Sequence, residues 1–112
     1  MQDWREQVYS IVKNIPRGKV STYGTISKFI GNRTKNKGYR VTPRMVGWAL
    51  HQNPDPQNIP CHRVVNAKGE LAKNYAFGGV RLQKERLLNE GVVFKANRVV
   101  MDVNETLTLY IP

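Results

Sequence analysis

The sequence predicts one mainly helical α+β domain that is winged-helix-like, with a helix-turn-helix and a small C-terminal β-hairpin. Two observations concern patterning: four segments repeat apolar residues at helical spacing, and residues 92–112 alternate apolar and polar side chains. A third observation is size, because a chain of 112 residues, 40% of them hydrophobic, can bury one modest core but hardly two. We therefore expect residues 1–112 to form a single domain.

The first two helices are predicted from apolar spacing and from the residues that cap and end them. Residues 3–14 place an apolar stripe on one helical face, and the Pro-Arg-Gly sequence at 16–18 ends that helix. Ser21 or Thr22 is then expected to cap a second helix, which Gly31 should end.

The third helix is predicted to begin with Thr42 as its N-cap and Pro43 at its first position. Its core-facing residues are expected to be Val46, Ala49 and Leu50. Two short helices, the second starting with Arg44 and carrying the small residue Gly47, are typical of a helix-turn-helix. An ordinary pair of packed helices would show the same pattern.

A fourth helix is predicted over residues 80–91, with Leu87 and Leu88 facing the core and Gly91 ending it. The tail is expected to form one β-hairpin with its turn near Asn104.

The chain has no apolar run near the ~18–20 residues that span a bilayer, and its N-terminus lacks the layout of a secretory signal. We therefore expect no membrane association and an intracellular protein, cytoplasmic and nucleoid-associated in a prokaryote or nuclear in a eukaryote.

The charge of the chain is large and unevenly distributed. Eighteen Lys and Arg residues against eight Asp and Glu give a net charge of +10, and residues 17–54 contain no acidic residue. The basic residues of that stretch are Arg17, Lys19, Lys28, Arg33, Lys35, Lys37, Arg40 and Arg44. Such a one-sided field attracts polyanions, so nucleic acid is the expected partner. A solvated basic face is the simpler alternative.

The only cysteine of the chain, Cys61, lies in the sequence "NIPCHRVV". A single cysteine excludes an internal disulfide, and one Cys with two His falls short of a four-ligand zinc site. A thiol becomes a useful nucleophile beside a base, and His62 is adjacent. Three later acids, Glu70, Glu85 and Glu90, are candidates to orient that imidazole. The alternative is a buried cysteine that acts as a small hydrophobic residue.

The sequence "IPCHRVV", together with "GKVSTYGTIS", "PRMVGWALHQNP" and "QKERLLNEG", resembles the DNA alkyltransferases that repair guanine alkylated on O6. The resemblance covers about residues 4–91 and follows the order of that family's catalytic domain. It implies irreversible transfer of an alkyl group to the cysteine, without turnover, cofactor or metal. The implied partner is double-stranded DNA containing O6-alkylguanine.

The resemblance also implies roles for individual residues around the thiol. Cys61 would accept the alkyl group, His62 would draw its proton through a water molecule, and Glu90 would orient His62. Tyr23 would donate a hydrogen bond toward the departing base. Asn53 would join the DNA-reading helix to the turn that carries Cys61.

Further residues are implied to bind the base and the DNA. The main-chain carbonyls of Cys61 and Val64 would read the exocyclic amine of guanine, and Arg44 would fill the gap that the flipped base leaves. The other implied contacts to the base are Leu50, Pro56 and Tyr75. The other implied contacts to DNA are Lys28, Arg40, Thr42, Gly47 and Arg63.

The chain departs from the repair members of the family in three respects. Its lid between Tyr75 and Lys84 is longer, Ala76 stands where a serine is often found, and it is expected to lack the N-terminal domain that many members carry. In its lid and tail it resembles the alkyltransferase-like proteins, which bind alkylated guanine, have lost the cysteine and signal to other repair proteins. A non-enzymatic damage sensor and a basic helix-turn-helix regulator are therefore the alternatives. We expect a monomer, with other repair proteins as further partners.

Overall fold

The computed structural model describes residues 3–34, 40–72, 77–103 and 106–112. The helices are α1 (Trp4–Lys13), α2 (Tyr23–Thr34), α3 (Pro43–His51) and α4 (Gly79–Asn89). The strands are β1 (Ser21–Thr22), β2 (Val64–Val65), β3 (Phe94–Lys95), β4 (Arg98–Val99), β5 (Asp102–Val103) and β6 (Thr106–Leu107). This order confirms the predicted α+β fold, which is mainly helical and consistent with a winged-helix-like architecture.

Helices α1, α2 and α3 pack against one another around the main hydrophobic core. The buried residues of this core include Val8, Val12, Ile26, Ile30, Val46, Ala49 and Leu50. They recur at three- and four-residue spacing, and the buried Val46, Ala49 and Leu50 confirm the predicted inner face of α3. Cys61 and Val64 belong to the same core, so the segment that carries the thiol is packed directly onto the helices.

The beginnings of the helices follow the capping residues. Thr22 caps α2, because its Oγ1 accepts a hydrogen bond of 3.0 Å from the Thr25 amide. The predicted end of α2 at Gly31 is wrong, since the helix continues to Thr34. Glycine within a helix costs only about 1 kcal/mol relative to alanine, and the buried packing of the preceding Ile30 outweighs that cost.

Helix α4 has a different inner face from the predicted one. Leu87 is fully buried as expected, but Leu88 is 49% exposed, so that part of the prediction is wrong. The second buried position is Gln83, which lies one turn before Leu87 on the same face. Leu88 follows Leu87 directly and therefore points about 100° around the helix. Gly91, with a φ of +85°, follows α4 as predicted.

The strands form three small pairs. Strand β1 pairs in parallel with β2, with Ser21 opposite Val64 and Thr22 opposite Val65. The tail forms the predicted antiparallel hairpin, β5–β6, and a second one, β3–β4, that was not predicted. The missed hairpin turns at Ala96 and Asn97, whose positive φ angles fit a two-residue turn. The predicted turn at Asn104 lies outside the described residues, between the ends of β5 and β6.

Across the four described ranges, the helices are all too short or too polar to cross a membrane.

Candidate active site

A tight turn at Pro60 introduces the cysteine. Pro60 has φ −76° and ψ 71°, and the Cys61 amide donates to the Ile59 carbonyl at 2.7 Å, which is an inverse γ-turn. A 3₁₀ turn over Cys61–Arg63 follows and leads directly into β2. Proline suits this position because its ring already fixes φ near −65°. The turn buries Cys61 and His62, whose exposed fractions are 6% and 8%.

Asn53 joins the end of α3 to this turn. Its Nδ2 donates to the Ile59 carbonyl at 2.8 Å, and its Oδ1 accepts from the Asp55 amide at 2.9 Å. The Ile59 carbonyl therefore accepts from both Asn53 and Cys61, which uses both of its lone pairs. The buried carboxamide thus joins the residue that follows α3 to the turn that carries Cys61.

His62 and Arg63 both contact the carboxylate of Glu90, which follows α4. His62 Nε2 lies 2.9 Å from Glu90 Oε2, and Arg63 donates from Nε to Oε1 at 2.9 Å and from a terminal nitrogen to Oε2 at 2.8 Å. Of the three acids proposed as orienting groups, the structure brings Glu90 to His62. Glu85 instead faces Arg81, and Glu70 accepts from Asn66.

The electrostatics of this cluster fix the protonation of His62 and Glu90. Burial alone would raise the pKa of Glu90, but hydrogen bonds from Arg63 and His62 outweigh it and hold that pKa below its usual value. Burial lowers the pKa of His62, and the contact with Glu90 opposes this shift only in part. His62 is therefore neutral at pH 7 and Glu90 is ionised.

A neutral His62 beside an ionised carboxylate has a defined tautomer. Nε2 carries the proton and donates it to Glu90, which leaves Nδ1 as the acceptor. His62 Nδ1 is buried and has no hydrogen-bonding partner among the described residues. An acceptor of this kind can receive a proton from a thiol, directly or through a water molecule.

Tyr23 begins α2 immediately after β1. Burial, together with the negative charge that Cys61 carries when ionised, raises the pKa of Tyr23 to about 12. The phenol is therefore protonated at neutral pH and can donate a hydrogen bond. A Cβ atom placed on Gly47 would lie 4.0 Å from the Tyr23 ring, so α3 passes close to this side chain.

Gln83 is the residue of this region that sequence reasoning missed. Its side chain is completely buried, its Oε1 accepts from the Ala72 amide at 3.0 Å, and its Nε2 donates to the carbonyls of His62 and Val64, both at 3.2 Å. One carboxamide thus joins α4, the thiol-bearing segment and the backbone at Ala72. The sequence did contain a signal for Gln83, since it lies four residues before Leu87 and therefore on the helix face that was predicted to be buried.

The residues predicted to contact the base have varied positions. Leu50 is buried in the main core, and the Val64 carbonyl already accepts one hydrogen bond from Gln83. Pro56 lines a surface cavity of about 510 Å³ together with His62 and Glu90. Tyr75 lies outside the described residues.

Most of the predicted DNA contacts lie on α2, just before α3 or in the first turns of α3. Lys28, Arg40 and Arg44 are exposed, and Thr42 accepts a hydrogen bond of 3.2 Å from the Met45 amide as the N-cap of α3. Gly47 is half-buried. The other small residue of α3, Ala49, is buried in the core and does not reach the surface.

Arg63 differs from the other predicted DNA contacts. Its guanidinium contacts Glu90 and also donates to the Ile15 carbonyl at 2.8 Å. The physical reason is charge pairing, since a largely buried arginine needs a carboxylate and further acceptors. In this arrangement the guanidinium belongs to the His62–Glu90 cluster and not to the exposed basic surface.

Within the described ranges, no three side chains of His, Cys, Asp or Glu lie close enough together to hold a metal ion.

These features define a class of protein: a small domain with two helices in helix-turn-helix order and a buried thiol beside a His–Glu pair. The particular family follows from comparison with known proteins. The chain belongs to the 6-O-methylguanine DNA methyltransferase family, whose DNA binding domain matches residues 3–92.

Similar proteins include both branches of this family. Alkyltransferase-like protein 1 of Schizosaccharomyces pombe is 39% identical over 93 residues, which cover 82% of this chain and 79% of that protein. The methylated-DNA–protein-cysteine methyltransferase of Methanocaldococcus jannaschii is 42% identical over 101 residues, covering 87% of this chain. The chain spans 53% of the length of that methyltransferase.

A solved structure resembles the whole chain. It is the crystal structure of S. pombe Atl1 in complex with damaged DNA containing O6-carboxymethylguanine, with a TM-score of 0.73 and 31% sequence identity over 100% of both chains. The similarity therefore includes the strand-like tail beyond the matched DNA binding domain.

Proposed function

We propose that this protein repairs O6-alkylguanine in double-stranded DNA by transferring the alkyl group irreversibly to Cys61. The observation that carries the proposal is the contact of 2.9 Å between His62 Nε2 and Glu90, which makes Nδ1 a proton acceptor beside a cysteine.

The reaction uses only the side chains of the site. His62 Nδ1 takes the proton of Cys61 through a water molecule, and the sulfur attacks the alkyl carbon. A carbon–sulfur bond forms while the bond between carbon and guanine O6 breaks. The electron pair of the broken bond stays on the guanine, and the guanine takes up the proton that Cys61 gave to His62. Tyr23, protonated because its pKa is about 12, donates a hydrogen bond to the departing base.

The base must leave the duplex before it can reach a buried thiol, at a cost of a few kcal/mol. Arg44 lies at the exposed beginning of α3, where its guanidinium can fill the gap left in the base stack. Lys28, Arg40 and Thr42 would contact the backbone, and Gly47 would let α3 approach the minor groove. In this proposal the protein acts as a monomer and needs no cofactor.

A damage sensor is the second candidate function. The observation that favours it is the similarity to Alkyltransferase-like protein 1 over 82% of the chain, together with the likeness to a structure bound to damaged DNA. Such a sensor would bind the lesion, leave it unchanged and recruit other repair proteins. The presence of Cys61, His62 and Glu90 together favours transfer instead.

Intact-protein mass spectrometry tests the proposal. Incubation with an excess of duplex DNA containing O6-methylguanine should add one methyl group per chain, mapped to the peptide that contains Cys61. Kinetics should show a burst without a steady state, because water cannot displace the group from a thioether. The variant Cys61→Ser should gain no methyl group while it still binds the lesion. Wild-type protein that binds the lesion tightly with an unmodified Cys61 would favour the sensor.

A further inference from the structure

The outer face of α3 carries a large apolar side chain that the core does not use. Trp48 is 55% exposed, although its neighbours Val46, Ala49 and Leu50 are buried. Tryptophan offers more apolar surface than any other side chain and is usually well buried. An indole exposed on the outer face of α3 is therefore available to contact a partner.

Trp48 has a close relation to Arg44. The Arg44 guanidinium lies over the indole ring, 5.3 Å from its centroid, because residues four apart share one face of a helix. The first turn of α3 contains no acidic residue, and Lys28 and Arg40 are also exposed. The Arg44 guanidinium places a positive charge on the indole and α3 contains no acidic residue, a combination that suits a polyanion with flat apolar rings.

We propose that Trp48 stacks on the DNA beside Arg44, so that the two side chains form one wedge in the duplex. This inference rests on the proposed function, in which Arg44 fills the gap left by the flipped base. Residues four apart on a helix are separated by about 6 Å along its axis, and DNA rises about 3.4 Å per base step. The indole therefore meets a nucleotide within two steps of the gap.

Stacking and charge neutralisation make separable contributions to DNA binding. An aromatic ring that stacks on a base contributes affinity without releasing counterions, whereas a basic residue on a phosphate changes the salt dependence. The loss of Trp48 should weaken binding without changing the slope of log affinity against log salt. The loss of a phosphate-binding lysine should lower that slope by about 0.9.

The experiment measures affinity for duplex DNA containing O6-methylguanine between 50 and 200 mM salt, with every variant made in a Cys61→Ser background. Trp48→Ala should weaken binding on the order of 5- to 150-fold with an unchanged slope. Trp48→Phe should recover most of that loss, because an aromatic ring remains. Lys28→Ala provides the phosphate comparison, and Leu88→Ala, an exposed apolar residue of α4, should bind like the parent.

A double variant separates direct stacking from mere positioning of Arg44. If Trp48 stacks on DNA, Trp48→Ala should still weaken binding when Arg44 is already alanine. An effect that vanishes in the Arg44→Ala background, or an affinity of Trp48→Ala equal to that of the Cys61→Ser parent, overturns the inference. Absence of lesion binding by the Cys61→Ser parent would instead contradict the proposed function, so the two failures are distinguishable.

Discussion

The thiol site and the outer face of α3 are built in opposite ways. In the thiol site, the Glu90 carboxylate makes hydrogen bonds of 2.8 to 2.9 Å with the largely buried side chains of His62 and Arg63. On α3, by contrast, Arg44 and Trp48 are exposed and share a single cation–π contact. Proton transfer needs atoms at fixed distances, whereas a surface that enters DNA must rearrange as the duplex bends. We infer that the thiol site is the rigid region of the molecule and that the outer face of α3 is the adaptable one.

The largest effect on stability is expected from Gln83, which holds the rigid region together. Gln83→Leu removes the partner of three backbone groups, and each buried group left unpaired costs about 1–3 kcal/mol. The free energy of unfolding should fall by about 3 kcal/mol or more, measured by urea denaturation. Arg81→Leu on the exposed side of the same helix should change it by less than about 1 kcal/mol. Equal losses would show that Gln83 has no special role.

Removal of the Glu90 carboxylate tests whether the rigid cluster serves the chemistry. Glu90→Gln should slow methyl transfer about 10- to 100-fold, because His62 loses the group that orients it and favours its protonation. The measurement is the single-turnover rate with duplex DNA containing O6-methylguanine. The final stoichiometry should stay at one methyl per chain. A changed stoichiometry with an unchanged rate would contradict this role.

The same variant has a defined effect on the pH dependence of stability. His62 and Glu90 both have a pKa that folding lowers from ordinary values of 6.5 and 4.5, so both stabilise the fold above those values. As pH falls, the free energy of unfolding should decrease first below 6.5 and again below 4.5. Glu90→Gln should abolish the second decrease, because the titrating carboxylate is gone. The first decrease should persist, because burial lowers the pKa of His62 and the Glu90 carboxylate only opposes that shift.

On the adaptable surface, Arg44→Ala should have an intermediate effect that depends on the substrate. Repair of duplex DNA should slow about tenfold or more, because base flipping costs a few kcal/mol and the variant cannot fill the gap. Transfer from free O6-benzylguanine, which needs no flipping, should change little. Comparison of the two single-turnover rates shows whether Arg44 acts in base flipping. Equal losses on both substrates would remove Arg44 from the flipping step.

The smallest effect is expected at Gly47, where the two regions meet. A Cβ atom there would make only an ordinary contact with the Tyr23 ring, at 4.0 Å. Gly47→Ala should therefore raise the free energy of unfolding by up to about 1 kcal/mol through helix propensity. If α3 approaches the DNA backbone closely, the same variant should bind duplex DNA more weakly. Thermal denaturation and DNA titration measure the two effects separately.

Local features of the fold could be predicted, because they depend on neighbouring residues. The cap at Thr42, the proline at the first position of α3 and the glycine after α4 all follow from short-range hydrogen bonding and φ preferences. The pairing of β1 with β2 could not be predicted, since it joins two dipeptides more than 40 residues apart. Two residues are too few to give a recognisable alternation.

The site was predictable in its residue types more than in its contacts. The sequence "PCHR" indicated a thiol beside a base, but the local pattern left three acids to orient His62. The family resemblance implied Glu90 among them, and the fold brings Glu90 to His62. Arg63 was expected on the basic surface because its sequence neighbours gave no sign of Ile15 or Glu90. Long-range contacts of charged side chains leave no local pattern.

The pairing of the tail with Val20 has a consequence for how the protein behaves in concentrated solution. The Val20 amide donates to Thr108, and its carbonyl accepts from Tyr110, so the tail covers the edge of the β1 segment opposite β2. An uncovered strand edge is a template on which other chains can add strands and aggregate. Because the tail occupies this edge, another chain cannot add a strand at Val20, which lies three residues before Tyr23.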